Sequence, residues 1–133
     1  MLLLRRTALI ILWVLAGLGV ASGAVWALTS AGVIKPLIVI SGSMEPGIMT
    51  GDLLIATKTE AADLATGDVV SLDSDLTSNL VTHRIVRIVP VGDGSFTVTM
   101  KGDNNEFEDA LDYTVSGEVW KPAMQIAGAG AFV

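Results

Sequence analysis

The sequence predicts a mainly β protein: a single N-terminal transmembrane helix followed by a small all-β domain. Two observations predict it. Thr7 to Ser30 run 24 residues without a charge. The remaining chain, about 100 residues and enough for one compact core, alternates short β-branched runs with turn residues. No internal repeat or low-complexity linker interrupts it.

The helix comes first. At about 1.5 Å per residue the uncharged run reaches about 36 Å, enough to cross a hydrocarbon core of about 30 Å with some tilt. Trp13 and Trp26 lie towards its ends, where indole rings favour the interface. A cleaved secretory signal also starts basic and apolar, but its apolar region runs about 7–15 residues. The longer run reads as an uncleaved anchor, with residues 1–35 as N-terminus and anchor and 36–133 as a separate domain. Arg5 and Arg6 precede the run and Lys35 is the nearest basic residue after it. The positive-inside rule then favours a cytoplasmic N-terminus and an extracytoplasmic domain.

All 14 acidic residues follow the anchor. From Pro36 onward only Lys58, Arg84, Arg87, Lys101 and Lys121 oppose them, for a net charge of −9. Nucleic acid is therefore not an expected partner, because phosphate contacts need clustered Lys and Arg. The absence of cysteine excludes a disulfide framework and thiolate zinc sites.

The strands follow in order. Leu37 to Ile40 reads as the first, Asp52 to Thr57 as the second and Asp68 to Leu72 as the third. Glu60 to Leu64 reads as one helical turn. Leu80 to Val89 is the longest strand and the richest in β-branched residues. Gly92-Asp93-Gly94 makes a hairpin turn into Ser95 to Met100, and Val115 to Trp120 is a weaker last strand. Met124 to Val133 is small and apolar. It reads either as a final strand or as the start of a second membrane segment.

Between the first two strands lies Ser41-Gly42-Ser43-Met44-Glu45-Pro46-Gly47. Gly42 and Gly47 permit unusual backbone conformations and Pro46 fixes one turn angle. Ser43 would sit near the apex, 13 residues past the end of the apolar run. A serine needs a base to take its proton. The one histidine, His83, sits in the long strand. By alternation it shares a face with Val81, Ile85, Arg87 and Val89. It reads either as a half-buried strand histidine or as a neutral imidazole suited to general-base work. The acidic segment after the hairpin holds Asp103, Glu106, Glu108, Asp109 and Asp112. It reads as a solvated loop or as the source of a carboxylate that orients His83. A calcium loop fails on spacing, with Phe107 at the fifth position and no glycine at the sixth. Lys58 reads as a solvated strand-end lysine.

Taken together, "SGSMEP" (41–46), "GD" (51–52), "GDVVSL" (67–72), "THRIV" (82–86) and "KGDNN" with a later acid (101–109) occur in one order. In these the chain resembles type I signal peptidases of the endoplasmic-reticulum and archaeal type, also found in Gram-positive bacteria. The likeness covers most of residues 37–120. It implies a membrane-bound serine endopeptidase with a signal-peptidase-like β domain that removes signal peptides from secretory pre-proteins. It implies Ser43 as nucleophile, His83 in the place where the larger bacterial branch has lysine, and Asp109 as the third member. Asp103 corresponds to a supporting acid, and Ser41 with the Ser43 N–H to the oxyanion donors. No metal or cofactor is implied. The implied partners are pre-proteins, the lipid bilayer and, where the enzyme is part of a complex, accessory subunits. The implied location is the cell membrane of a bacterium or archaeon, or the endoplasmic-reticulum membrane of a eukaryote. The sequence departs from the pattern at Glu106-Phe107-Glu108, which leaves Glu108 or Asp103 as alternatives to Asp109. A non-catalytic, membrane-tethered β module is the competing function.

Overall fold

The apolar run and the basic residues before it form one helix, α1 (Leu2–Ser30), in the computed structural model, which describes residues 1–132. The helix starts earlier than the uncharged run because Leu and Arg propagate it well. None of its residues is buried, and it is long and apolar enough to cross a membrane. A Schellman turn ends it: Gly32 N–H donates to Thr29 O (3.0 Å) and Val33 N–H to Leu28 O (2.9 Å). Met1–Val33 make one compact unit, and a second begins at Ile34.

The second unit is a seven-stranded, fully antiparallel sheet. Its strands are β1 (Ile34–Ile38), β2 (Leu53–Glu60), β3 (Val69–Asp73), β4 (Leu80–Gly92), β5 (Ser95–Lys101), β6 (Tyr113–Ser116) and β7 (Glu118–Ile126). Their order is β1-β2-β7-β3-β4-β5-β6. The mainly β expectation with one apolar N-terminal helix is borne out. The first strand lies three residues earlier than expected, directly after the Schellman turn. The expected turn near Glu60 is a 3-10 turn at Ala61–Asp63.

Two differences bear on the site. The single strand expected at Val115–Trp120 is two strands, split at Gly117, whose φ of +63° suits glycine and breaks the extended run. The alternation expected along β4 also fails. Ile85 pairs with Met100 but Arg87 pairs with Thr99, so one extra residue bulges out. Ile88, not Arg87, therefore returns to the face that His83 and Ile85 share. The β4–β5 hairpin closes as expected, through Asp93 and Gly94 at φ 53° and 73°.

The core lies between the curled halves of the sheet. Val70, Ile85, Val98 and Met100 are buried there, capped by Ala61 and Leu64. Burial of each such large side chain is worth about 1.5–3 kcal/mol. At the C-terminus, Met124–Ile126 complete β7 and Ala129–Phe132 form a second 3-10 turn. The final residue of that apolar run, Val133, lies outside the described residues.

Candidate active site

Ser43 sits in the loop between β1 and β2, where residues 42–48 form tight turns: Glu45 N–H donates to Gly42 O (3.2 Å) and Ile48 N–H to Met44 O (3.1 Å). The glycines do not work there as the sequence suggested. Neither Gly42 nor Gly47 has positive φ. Gly42 instead leaves room for the Glu45 carboxyl, 3.1 Å from where a Cβ would stand. Met44 turns inward and is buried, and its Sδ accepts the Asp103 N–H at 3.3 Å.

The loop after β5 clamps this turn. Asn104 N–H donates to Ser43 O (2.8 Å), and Asn104 Nδ2 donates to Gly42 O (3.1 Å). The two backbones approach so closely that a Cβ on Gly102 would stand 2.6 Å from Ser43 O. Gly102 is thus required for contact between the loops.

His83 lies on β4 opposite Val70 of β3, with 9% of its surface exposed. Its Nε2 is 3.0 Å from Ser43 Oγ. Its Nδ1 is 2.8 Å from both oxygens of Asp109. A carboxylate can only accept here, so Nδ1 carries the proton and neutral Nε2 accepts from the Ser43 hydroxyl. Asp109 N–H donates to Met100 O (2.8 Å), which holds the Asp109 backbone beside the strand. Asp112 further pins this loop by accepting from Thr99 Oγ1 at 2.7 Å. Ser41 Oγ stands 3.2 Å from Ser43 Oγ.

The other acids take different places. Asp103 forms a two-pronged pair with Arg84: Nε to Oδ1 at 2.9 Å and Nη2 to Oδ2 at 2.8 Å. That hydrogen bonding holds the Asp103 carboxyl below its ordinary value and raises the Arg84 guanidinium. Glu108 points to Arg87, 3.9 Å away, and does not share the histidine. Lys58 pairs with Glu118 at 3.8 Å and lies over the Trp120 ring. Among the described residues no group of three or more His, Asp or Glu side chains could hold a metal ion.

The sequence placed Asp52, Gly102 and Asn104 within motifs without giving them a role, and it missed Gln125 and Tyr113. Gly102 acts through its bare backbone, and Asn104 through both its N–H and its side-chain amide. Asp52, 3% exposed, accepts from Met49 N–H (2.9 Å), Gln125 Nε2 (2.7 Å) and Gly128 N–H (2.9 Å). Those bonds, the Gly128 amide foremost and then Met49 and Gln125, hold its carboxyl below the ordinary range. Gln125 also donates to Gly47 O at 3.0 Å, tying the C-terminal segment to the serine loop. Tyr113 Oη donates to Asp109 Oδ2 at 2.7 Å. It is the chain's one tyrosine, four residues after Asp109, but nothing in its pattern separates it from a core aromatic.

No protein-family model matches the chain. Among curated proteins it is 30% identical over 92 residues to signal peptidase complex catalytic subunit SEC11C of Homo sapiens, covering 69% of this chain and 47% of that protein. It is 44% identical over 73 residues to signal peptidase I W of Bacillus subtilis (strain 168), covering 54% of this chain and 37% of that one. Over 77 residues it is 36% identical to signal peptidase complex catalytic subunit SEC11 of Eremothecium gossypii, covering 58% and 46%. The chain spans half or less of the length of these relatives. Relatives from a mammal, a fungus and a Gram-positive bacterium are all named as signal peptidases or their catalytic subunits, and the chain belongs to the type I signal peptidase family.

Proposed function

We propose that the protein is a membrane-bound serine endopeptidase that removes signal peptides from secretory pre-proteins. The observation that carries this reading is the hydrogen-bonded line Ser43–His83–Asp109, at 3.0 and 2.8 Å. The same residue types on another fold would invite the same chemistry.

In this mechanism His83 Nε2 takes the Ser43 proton as Oγ attacks the carbonyl at the cut site. Asp109 keeps the proton on Nδ1 and stabilises the imidazolium as it forms. The Ser41 hydroxyl and the Ser43 N–H meet the oxyanion, whose charge develops only in the transition state. His83 then returns its proton to the leaving amine. Water, deprotonated by the same imidazole, hydrolyses the acyl-enzyme. Asp103 acts at one remove, anchoring the loop that clamps the serine turn.

The anchor has a role of its own in this reading. With α1 across the membrane and Arg5 and Arg6 inside, the β unit lies on the extracytoplasmic side. Confining enzyme and signal peptide to one membrane raises their effective concentration. Two of the relatives are named as subunits of a complex. By that analogy accessory subunits are proposed here as well.

Ser43→Ala and His83→Ala variants test the reading in liposomes with a pre-protein substrate. Each should lower kcat by at least about 10³-fold. Normal processing by either would overturn the catalytic reading and leave a tethered binding module.

A further inference from the structure

We infer that Tyr113 is a positioning residue for the reaction, holding the Asp109 carboxylate in register with His83 through its hydroxyl. The inference rests on the proposed Ser43–His83–Asp109 chemistry and extends it by one member. Asp109 has a single anchor of its own, the backbone bond to Met100 O. That bond fixes Cα but leaves the carboxylate free to turn. Its two oxygens stand equally far from His83 Nδ1, 2.8 Å each, so the histidine alone does not select an orientation. Tyr113 does, by donating to Oδ2 alone at 2.7 Å. The phenol can fill that role because it is itself fixed. It is 9% exposed, its ring belongs to the core on β6, and β6 is paired to β5 through Val98↔Tyr113.

The electrostatics agree with the geometry. Burial first, and the Asp109 carboxylate second, push the phenol well above its usual titration range, while Ser74 acts weakly the other way. The hydroxyl is therefore a donor at every working pH. The charged groups around the pair are few. His83 faces Asp109 from β4, Asp103 acts on His83 through space while bound to Arg84, and Asp112 is engaged by Thr99. A neutral donor shares the negative charge of Asp109 without cancelling it. That tempers how strongly the carboxylate holds the imidazolium.

Tyr113→Phe removes the hydroxyl and keeps the ring. In the full chain, in detergent, a fluorogenic peptide spanning a signal-peptide cut site should show kcat down about 10-fold, the scale of one hydrogen bond to a charged group, with KM unchanged. The acid limb of the rate profile should move to higher pH, because the unshared carboxylate holds the protonated imidazole more tightly. An unchanged kcat and acid limb would overturn the inference and leave Tyr113 as a core aromatic. His83→Ala in the same assay separates the two levels: if it remains active, the catalytic reading itself fails. An independent measurement needs no activity. With one tyrosine in the chain, ultraviolet titration reports Tyr113 alone. In Asp109→Asn its titration should fall but stay above that of free tyrosine, near pH 10, because burial, the larger cause, remains. If it does not move, the contact with Asp109 carries no weight.

Discussion

Replacing Gly102 by alanine should disable the site while leaving the fold in place. The new Cβ would stand 2.6 Å from both Ser43 O and Asn105 Nδ2, about 0.8 Å inside the 3.4 Å where ordinary contact begins. The Asn105 amide is the end of a side chain and can swing aside. Ser43 O is backbone, held by Asn104 N–H at 2.8 Å, and must move with its residue. Overpacking of this kind costs about 1–3 kcal/mol. About 0.4–1 kcal/mol returns because alanine restricts the unfolded chain. The net loss is small enough for the sheet to survive. Catalysis is less tolerant, since a displacement near 1 Å costs about 10²-fold. The expectation is kcat down about 10- to 100-fold, KM nearly unchanged, and a melting midpoint lower by about 5–10 °C. Steady-state cleavage of a fluorogenic peptide and thermal melting measure both. Gly47→Ala is the control, because its Cβ would meet nothing closer than Met44 O at 3.9 Å. Equal, near-normal kcat for the two variants would refute the reasoning.

Other outcomes follow from the same geometry. Cleavage should slow as pH falls from 8 to 5, because a protonated His83 cannot accept the Ser43 proton; a flat profile would point to another base. Hydrogen bonds hold the folded Asp52 carboxyl below the ordinary carboxylate range, so between the folded and unfolded values the unfolded chain binds more protons and stability rises with pH. Its stabilisation is complete above about pH 4 and lost as pH falls through the lower, folded value. Urea unfolding of wild type and Asp52→Asn should therefore differ at pH 7 and converge at pH 2; a gap that persists unchanged at pH 2 would rule out the carboxylate as its source. The Arg84–Asp103 pair is 45% and 31% exposed, so solvent screens it. A double-mutant cycle with Arg84→Ala and Asp103→Ala should give a coupling of about 1 kcal/mol that shrinks in high salt.

Much of this was legible because it rests on local pattern. The apolar run marks α1 by length alone, and Asp93-Gly94 marks its hairpin by turn chemistry. Ser43 stood out through its neighbours and His83 through being the one imidazole. What stayed hidden is non-local. The bulge after Ile85 depends on how β4 meets β5, and alternation within one strand cannot reveal an extra residue. Gly117 fell inside the one strand expected at Val115–Trp120, because a single glycine does not announce a positive φ. Sequence spacing favoured Asp109 but left Asp103 and Glu108 as alternatives. The geometry separates them by partner: Arg84 takes the first, Arg87 the second, and His83 stands beside the third.

The strand order has one narrow place. β3 meets β7 through the single pair Ser71↔Trp120, while its other neighbour β4 runs alongside for five pairs. On one side of that seam lie β1, β2 and the loop with Ser43; on the other lie His83 on β4 and Asp109 after β5. The two halves of the chemistry therefore belong to separate panels with little ladder between them. Across the seam they are joined by the Lys121–Asp68 ion pair at 3.4 Å, by the shared core, and at the site by Asn104, the sulfur of Met44 and the bare backbone of Gly102. These last contacts join the serine loop to the loop after β5, so the nucleophile meets its base through loop and side-chain contacts rather than through a shared ladder.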